Sequence, residues 1–172
     1  MLSVMLVLGI LVAAALPAMT SSLDDAMLTQ ATNEILDAFS YARTTARATG
    51  ANCRVMFTVS TETVRVERMQ HNNLSTLLNP ATTQLAESQI ESTMAYTLAA
   101  KPQDPGTGYT FNMASGSWIS NVKLHSSNFG GQTFVTFNSY GQPTNDGEVQ
   151  LKIGSRTRRI QLNTAGTIEI DD

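Results

Sequence analysis

Few side chains in this 172-residue sequence could make or break bonds: the thiol of Cys53, the imidazoles of His71 and His125, and the carboxylates and hydroxyls scattered among them. A catalytic serine or cysteine needs a base within hydrogen-bond reach and a further group to orient that base. The local signatures of such sites do not occur: there is no G-x-S-x-G elbow, no H-E-x-x-H, no P-loop and no G-x-G-x-x-G. His71, beside Asn72 and Asn73, reads as a solvated loop residue, and His125 as a structural residue at a strand end. Cys53 opens a strand-like run and reads as a small buried hydrophobe. A single cysteine excludes an internal disulfide and a cysteine-rich zinc site, and two histidines leave little metal-ligand material. The expectation is a non-enzyme, with no catalytic residue, no metal and no cofactor.

The remaining chemistry is ionic. In "GSRTRRI", Arg156, Arg158 and Arg159 sit near a turn between two strand-like runs, and alternation places Arg156 and Arg158 on one face. Such a cluster could contact nucleic-acid phosphates, or it could be a solvated hairpin or subunit-contact surface. The net charge of −3 and the nearby Asp146, Glu148, Glu169, Asp171 and Asp172 weigh against nucleic acid. Asp171 and Asp172 read as a frayed terminus. "NFGG" at 128–131 reads as a turn, and Trp118 as a core or inter-sheet residue.

These residues must be positioned by a chain with an unusual beginning. From Met1 to Met19 the only polar side chain is that of Ser3, and Asp24 is the first ionisable one. Leu2, Val4, Met5, Leu6, Val7, Leu8, Ile10, Leu11, Val12 and Leu16 are distributed around every face of a helix, which suits a bilayer better than one side of a core. A cleaved secretory signal would carry a basic leader and a shorter apolar run. Residues 1–23 therefore read as a membrane-spanning half-helix, with a kink at Pro17. Over 24–50 the helical pattern narrows to one stripe, through Leu28, Ala31, Ile35, Phe39, Ala42 and Ala46. Leu28, Ile35, Phe39 and Ala42 are the expected helix-to-head packing residues. Asp24, Asp25, Glu34 and Asp37 precede Arg43 and Arg47, the order that complements a helix dipole, and Gly50 suits a C-cap. The whole helix would reach about 75 Å.

After Gly50 the period becomes two. "CRVMFTV" places Val55, Phe57 and Val59 on one face, and "TVRVERM" turns Val64 and Val66 inward with Arg65 and Glu67 outward, a hairpin turning near 60–62. "HNNLSTLLNP" (71–80) reads as loop, and "ATTQLAESQIES" as a short helix. The segments "MAYTLAA", "GYTFNMA", "SWISNVKLHS", "QTFVTFN", "EVQLKIG", "RRIQLN" and "GTIEID" read as strands between Pro, Gly, Asn and Asp. Residues 51–172 thus form a β-rich head. The fold class is α+β: a long N-terminal helix, half membranous and half amphipathic, packed on antiparallel sheets that also pack on each other.

This arrangement resembles the type IV pilin and pseudopilin superfamily. "MLSVMLVLGILVAAALPAM" is similar to the apolar stretch of the family's mature N-terminus, with Pro17 at the family's proline; by that match the family's glutamate and processing-site glycine would stand just before Met1. "AFSYARTTARATGANCRVMF" and "VTFNSYGQPTNDGEVQLKIGSRTRRIQLNTAGTIEI" are most similar to the H-type minor pseudopilin of type II secretion and to FimT-type minor pilins. The resemblance implies a structural subunit of a secretion pseudopilus or type IV pilus. It implies other pilin subunits as partners, a prepilin peptidase acting on the full-length precursor, and an inner-membrane anchor with the head in the periplasm. Residues Leu2 to Leu16 would be bilayer anchor first and intersubunit core later. The alternatives are a FimT-like DNA-binding pilin and a signal-anchored exported β domain. Where DNA-binding relatives carry Gly-Arg-x-Arg, this chain reads Gly166, Thr167, Ile168, Glu169, which counts against DNA as a partner.

Overall fold

The structure, a computed structural model, describes the backbone of residues 2–71, 94–98, 100–101, 104–115, 119 and 121–171, and the side chains of 22–69, 109–115, 119 and 121–171. Helix α1 runs over Leu2–Thr49, and its assignment is continuous across Pro17. It ends where Gly50 takes a left-handed φ of 65°, the conformation that stops a helix without a Cβ clash. Among the described residues no helical stretch is long and apolar enough to cross a membrane. The side chains of the apolar stretch 2–19 are not among them, so the expectation of a bilayer span rests on the sequence.

Eleven strands follow among the described residues: β1 (Cys53–Thr58), β2 (Thr63–His71), β3 (Met94–Leu98), β4 (Ala100–Lys101), β5 (Asp104–Gly108), β6 (Thr110–Asn112), β7 (Lys123–Phe129), β8 (Phe134–Phe137), β9 (Gly147–Ile153), β10 (Arg156–Leu162) and β11 (Ile168–Asp171). The first sheet has the order β3-β2-β1-β8, with β6 also paired to β2; the second has the order β11-β10-β9-β7; β4 and β5 form a small ribbon. Every described pairing is antiparallel. The chain leaves the second sheet after β7, contributes β8 to the first, and returns as β9. The backbone N–H of Phe57 donates to the Thr133 carbonyl at 2.9 Å and so ties this crossing down.

Amphipathic residues of α1 lie between the two sheets. Leu28, Ala31, Ile35, Ala38, Phe39, Ala42 and Ala46 are buried with Val55, Phe57, Val64 and Val66 of the first sheet and Val149, Leu151, Ile160 and Leu162 of the second. Small alanines let the sheets approach the helix, and Phe39 fills the space that remains. Its ring meets Phe57 at 5.9 Å, Phe129 at 6.3 Å and Phe137 at 6.1 Å, from β1, β7 and β8 respectively. Farther along, Tyr41 stacks on Tyr109 at 5.0 Å, holding the segment between β5 and β6 to the helix. Burial, helped by nearby Glu34 and Asp37, pushes the Tyr109 phenol up to about 12.

Several local expectations are corrected. Val59 does not continue the β1 face: the chain turns into a 3-10 helix over Val59–Thr61, and Val59 is exposed. The turn closes through Glu62, a non-glycine residue at φ 53°, whose N–H donates to the Val59 carbonyl. His71 lies in β2 opposite Met94 instead of in a loop, because pairing to β3 prolongs the strand. β7 begins at Lys123, since the Val122 N–H donates to the Ile119 carbonyl and makes a turn of 119–122. His125 is inside β7 at a register shift, and exposed. Asp171 is paired in β11 opposite Arg159, not frayed. β5, reading "DPGTG", carries no strand-like alternation and forms by pairing with β4. Trp118, Asp172 and the expected helix within 81–92 lie outside the described residues.

Truncating the central ring tests this packing. Phe39→Ala is expected to lower the unfolding free energy of the full chain in detergent by about 3–5 kcal/mol, measured by chemical denaturation; a loss under about 1 kcal/mol would show that Phe39 does not join the two sheets.

Candidate functional site

The site-forming region is the seam between α1 and the head, where ionic and polar side chains of the helix reach the turns of both sheets. At the upper end of the helix, Arg43 and Arg47 are one turn apart and flank the buried stripe of Ala42 and Ala46. Arg43 donates from Nη2 to the Gly166 carbonyl at 2.8 Å and lies 6.0 Å from the Phe137 ring centroid. Arg47 donates from Nε to the Tyr140 carbonyl at 2.8 Å. Two turns from different sheets are thus held by one helix end, where cations also complement the dipole.

Both turns share a sequence, Asn-x-x-Gly. In "NSYG" (138–141) the Asn138 side-chain oxygen accepts from the backbone N–H of Tyr140 and of Gln142, each at 3.0 Å. In "NTAG" (163–166) the Asn163 side chain accepts from the N–H of Thr167 at 3.0 Å. A third copy, "NFGG" (128–131), closes by the Gly131 N–H donating to Asn128 at 2.9 Å, and is a turn as expected. Gly141 (φ 73°) and Gly166 (φ 83°) need the left-handed region and also leave room for the arginines: a Cβ at Gly141 would stand 2.5 Å from Arg47 Nε, and one at Gly166 2.6 Å from Arg43 Nη2. Sequence reading assigned Arg43 and Arg47 only to the dipole and missed this clasp. The repeated Asn-x-x-Gly and the Ala-Arg pair recurring at four residues were its signal.

At the lower end, the same seam is closed by the arginines first singled out as a nucleic-acid candidate. Arg156 forms an ion pair with Asp25, and Arg158 donates to the Thr29 hydroxyl at 2.9 Å. These two lie on the helix-facing side of β10, as alternation requires. Arg159 points to the other side and pairs with Glu148 at 3.4 Å. The three are therefore split between two faces of the sheet. The hydrogen bond and charge of Arg156 hold the Asp25 carboxyl below its ordinary 3.8.

The other candidates stay apart from this seam. Cys53 is fully buried, and burial pushes its thiol up to about 11, far from thiolate chemistry at neutral pH. Among the described residues no three His, Cys, Asp or Glu side chains converge to hold a metal ion. A polar cleft of about 520 Å³ lies beside β9–β11, lined by Asn128, Glu148, Gln161 and Glu169 among others. Arg54 and Glu67, opposite one another on β1 and β2, pair at 2.7 Å, and Arg54 also lies 5.3 Å from the Phe134 ring. The apolar residues Leu2, Val4, Met5, Leu6, Val7, Leu8, Ile10, Leu11, Val12, Leu16 and Pro17 are all on α1, in its N-terminal part.

A helical spine whose C-terminal half is sunk between antiparallel sheets, with its N-terminal half extending as a long stalk sequence, defines a pilin-like α+β fold. The structure is similar to that of the minor pseudopilin EpsH from the type 2 secretion system of Vibrio cholerae, with a TM-score of 0.51 and 11% identity, covering 83% of this chain and 94% of that one. No family model and no curated protein matches the sequence. At that identity the likeness establishes the fold.

Two measurements test the seam. Gly141→Ala is expected to cost about 2 kcal/mol of stability, against about 1 kcal/mol for Gly131→Ala, which shares the left-handed backbone but meets open space. Because the Asp25 pKa is lowered on folding, its pair with Arg156 contributes fully above the unfolded value of 3.8 and fades as pH falls through the folded value. Asp25→Asn should therefore be less stable than the parent chain above about pH 5 and equal to it at strongly acid pH; an unchanged gap in acid would contradict the pairing.

Proposed function

We propose that this chain is a structural minor pilin or pseudopilin subunit, anchored in a bacterial inner membrane by the apolar half of α1 with its head in the periplasm, and assembled with other pilin-type subunits into a type II secretion pseudopilus or type IV pilus. The observation that carries the reading is the coincidence of a pilin-like fold with a stretch, Leu2 to Leu16, that is apolar on every side of a helix. Such a stretch needs a bilayer or a set of like helices to receive it. Its extension as a stalk from the packed seam lets helices bundle while heads stay outside. A prepilin peptidase would act on the full-length precursor.

Non-catalytic duty agrees with the chemistry of the head. Turn carbonyls of the head are engaged by Arg43 and Arg47, and its thiol is buried. The engagement of Arg156 by Asp25 and of Arg158 by Thr29 favours a structural role for "GSRTRRI" over phosphate contact.

Host membranes provide the test. The native chain should sediment with the inner membrane and copurify with other pilin-type subunits after solubilisation. Leu8→Asp with Leu11→Asp should lower both at least roughly tenfold, since each carboxylate costs about 2.5–3.5 kcal/mol at mid-bilayer. Retention of membrane association and copurification by the double variant would overturn the proposal.

A further inference from the structure

The second sheet reaches farther toward the apolar stretch than the first. β10 runs alongside α1: its first residue, Arg156, pairs with Asp25, and the turn after its last is held by Arg43. Phe57, near the lower turn of the first sheet, meets Phe39, about 21 Å farther along the helix than Asp25. Asp25 follows Leu23, where the apolar residues give way, by about 3 Å along the axis. With residues 1–23 in a bilayer, the lower end of the second sheet therefore stands in the headgroup layer, which is about 5–8 Å deep beyond the hydrocarbon.

That end is basic. Lys123 of β7 and Lys152 of β9 stand directly opposite one another, and Lys152 is in turn opposite Thr157, beside Arg156. Both alternate with buried Leu124, Leu151 and Ile153 and so lie on the face away from the helix. Neither forms an ion pair with a described residue, although like charges in opposed positions repel. The carboxylates at this height are Asp24 and Asp25, both on α1 and both within electrostatic reach of Arg156. Arg158, bonded to Thr29, adds a further cation, so positive charge is in excess here although the chain as a whole carries −3. No Lys or Arg follows the apolar stretch before Arg43, so the cations at this height all come from the head.

We infer that the pair of Lys123 and Lys152 binds the phosphate of an anionic lipid headgroup and so holds the head against the membrane while the subunit is anchored there. This rests on the membrane-anchored reading, which sets the height of the pair. A phosphate between the two ammonium groups removes the repulsion that the ladder imposes. Arg156 and Arg158 are positioning residues, which pin the end of the sheet at that height through Asp25 and Thr29. A long polyanion such as duplex DNA would also run across Glu169 and Asp171 farther along the sheet, whereas a headgroup touches this end alone. Each cation near an anionic surface contributes about fivefold to association.

The full chain reconstituted into phosphatidylcholine vesicles, with and without phosphatidylglycerol, provides the test. A Ser155→Cys variant carries a fluorophore at the exposed tip of the β9–β10 turn, Cys53 being buried, and spin-labelled headgroups quench it when the tip docks. Strong quenching is expected with phosphatidylglycerol. Combining Lys123→Gln with Lys152→Gln should lower the ratio of docked to undocked heads about 25-fold, while Lys→Arg at both positions should preserve it. Salt at about 1 M, where the Debye length is about 3 Å, should also undock the tip. No quenching, equal quenching without phosphatidylglycerol, or quenching unchanged in the glutamine variant would overturn the inference. Release of the tip by a short DNA duplex at equal phosphate concentration would assign the lysines to nucleic acid and overturn it too. Flotation of the same samples separates the two readings: a chain that floats with its head undocked refutes this inference alone, and one that does not float refutes the anchor as well.

Discussion

The two-sheet arrangement depends on an aromatic cluster in which Phe57 of β1 stacks on Phe129 of β7 at 5.6 Å and Phe39 of α1 meets both rings. Each sheet has one apolar face, and the faces belong to strands that interleave in the chain, so ladder pairing alone does not join them and side chains must. An aromatic ring on α1 in contact with Phe57, Phe129 and Phe137 supplies a common partner to both. The neighbouring alanines matter for the opposite reason. Ala31, Ala38, Ala42 and Ala46 have no bulk to hold the sheets away, so the helix backbone sinks into the seam. Large and small residues alternate along one stripe because the helix has to serve two sheets at once.

The ionic contacts sit at the ends of this apolar seam. Arg43 and Arg47 join turns from both sheets to the top of the helix, and Arg156 and Arg158 join the turn end of the β9–β10 hairpin to its lower part. Bonds from arginine to carbonyl oxygens at partly exposed positions contribute little each. Their value is directional: a helix in a greasy seam could slide or rotate by a turn, and four arginines at fixed heights oppose that. Register along the helix is the quantity these contacts protect.

Much of this was legible in the sequence, and the gaps have physical causes. The three-and-four spacing from Leu28 to Ala46 places the buried stripe because a helix repeats on itself. The alternation in "EVQLKI" and "RRIQL" likewise gives strand faces. That sheets pack on each other was expected, but which strand joins which sheet was not legible, since β7, β8 and β9 belong alternately to one and the other, and that choice is made by contacts far apart in sequence. Val59 followed the alternation yet left the sheet, because a turn ended the strand first. β5 has a strand's backbone without a strand's residues, because its partner β4 imposes the conformation. The arginine clasp was hidden for a similar reason: its acceptors are backbone carbonyls, which carry no sequence signal, and only the recurrent Asn-x-x-Gly marked where they would be presented.

The central structural claim is that the C-terminal half of α1 and both sheets are one cooperative unit. Native-state hydrogen exchange on the full chain measures this directly. The account predicts that amides of Ile35 to Ala46 exchange only with the same opening free energy as those of β1 and β9, in a single global event. Helix amides that exchange far more easily than either sheet, or two sheets that open independently, would contradict it.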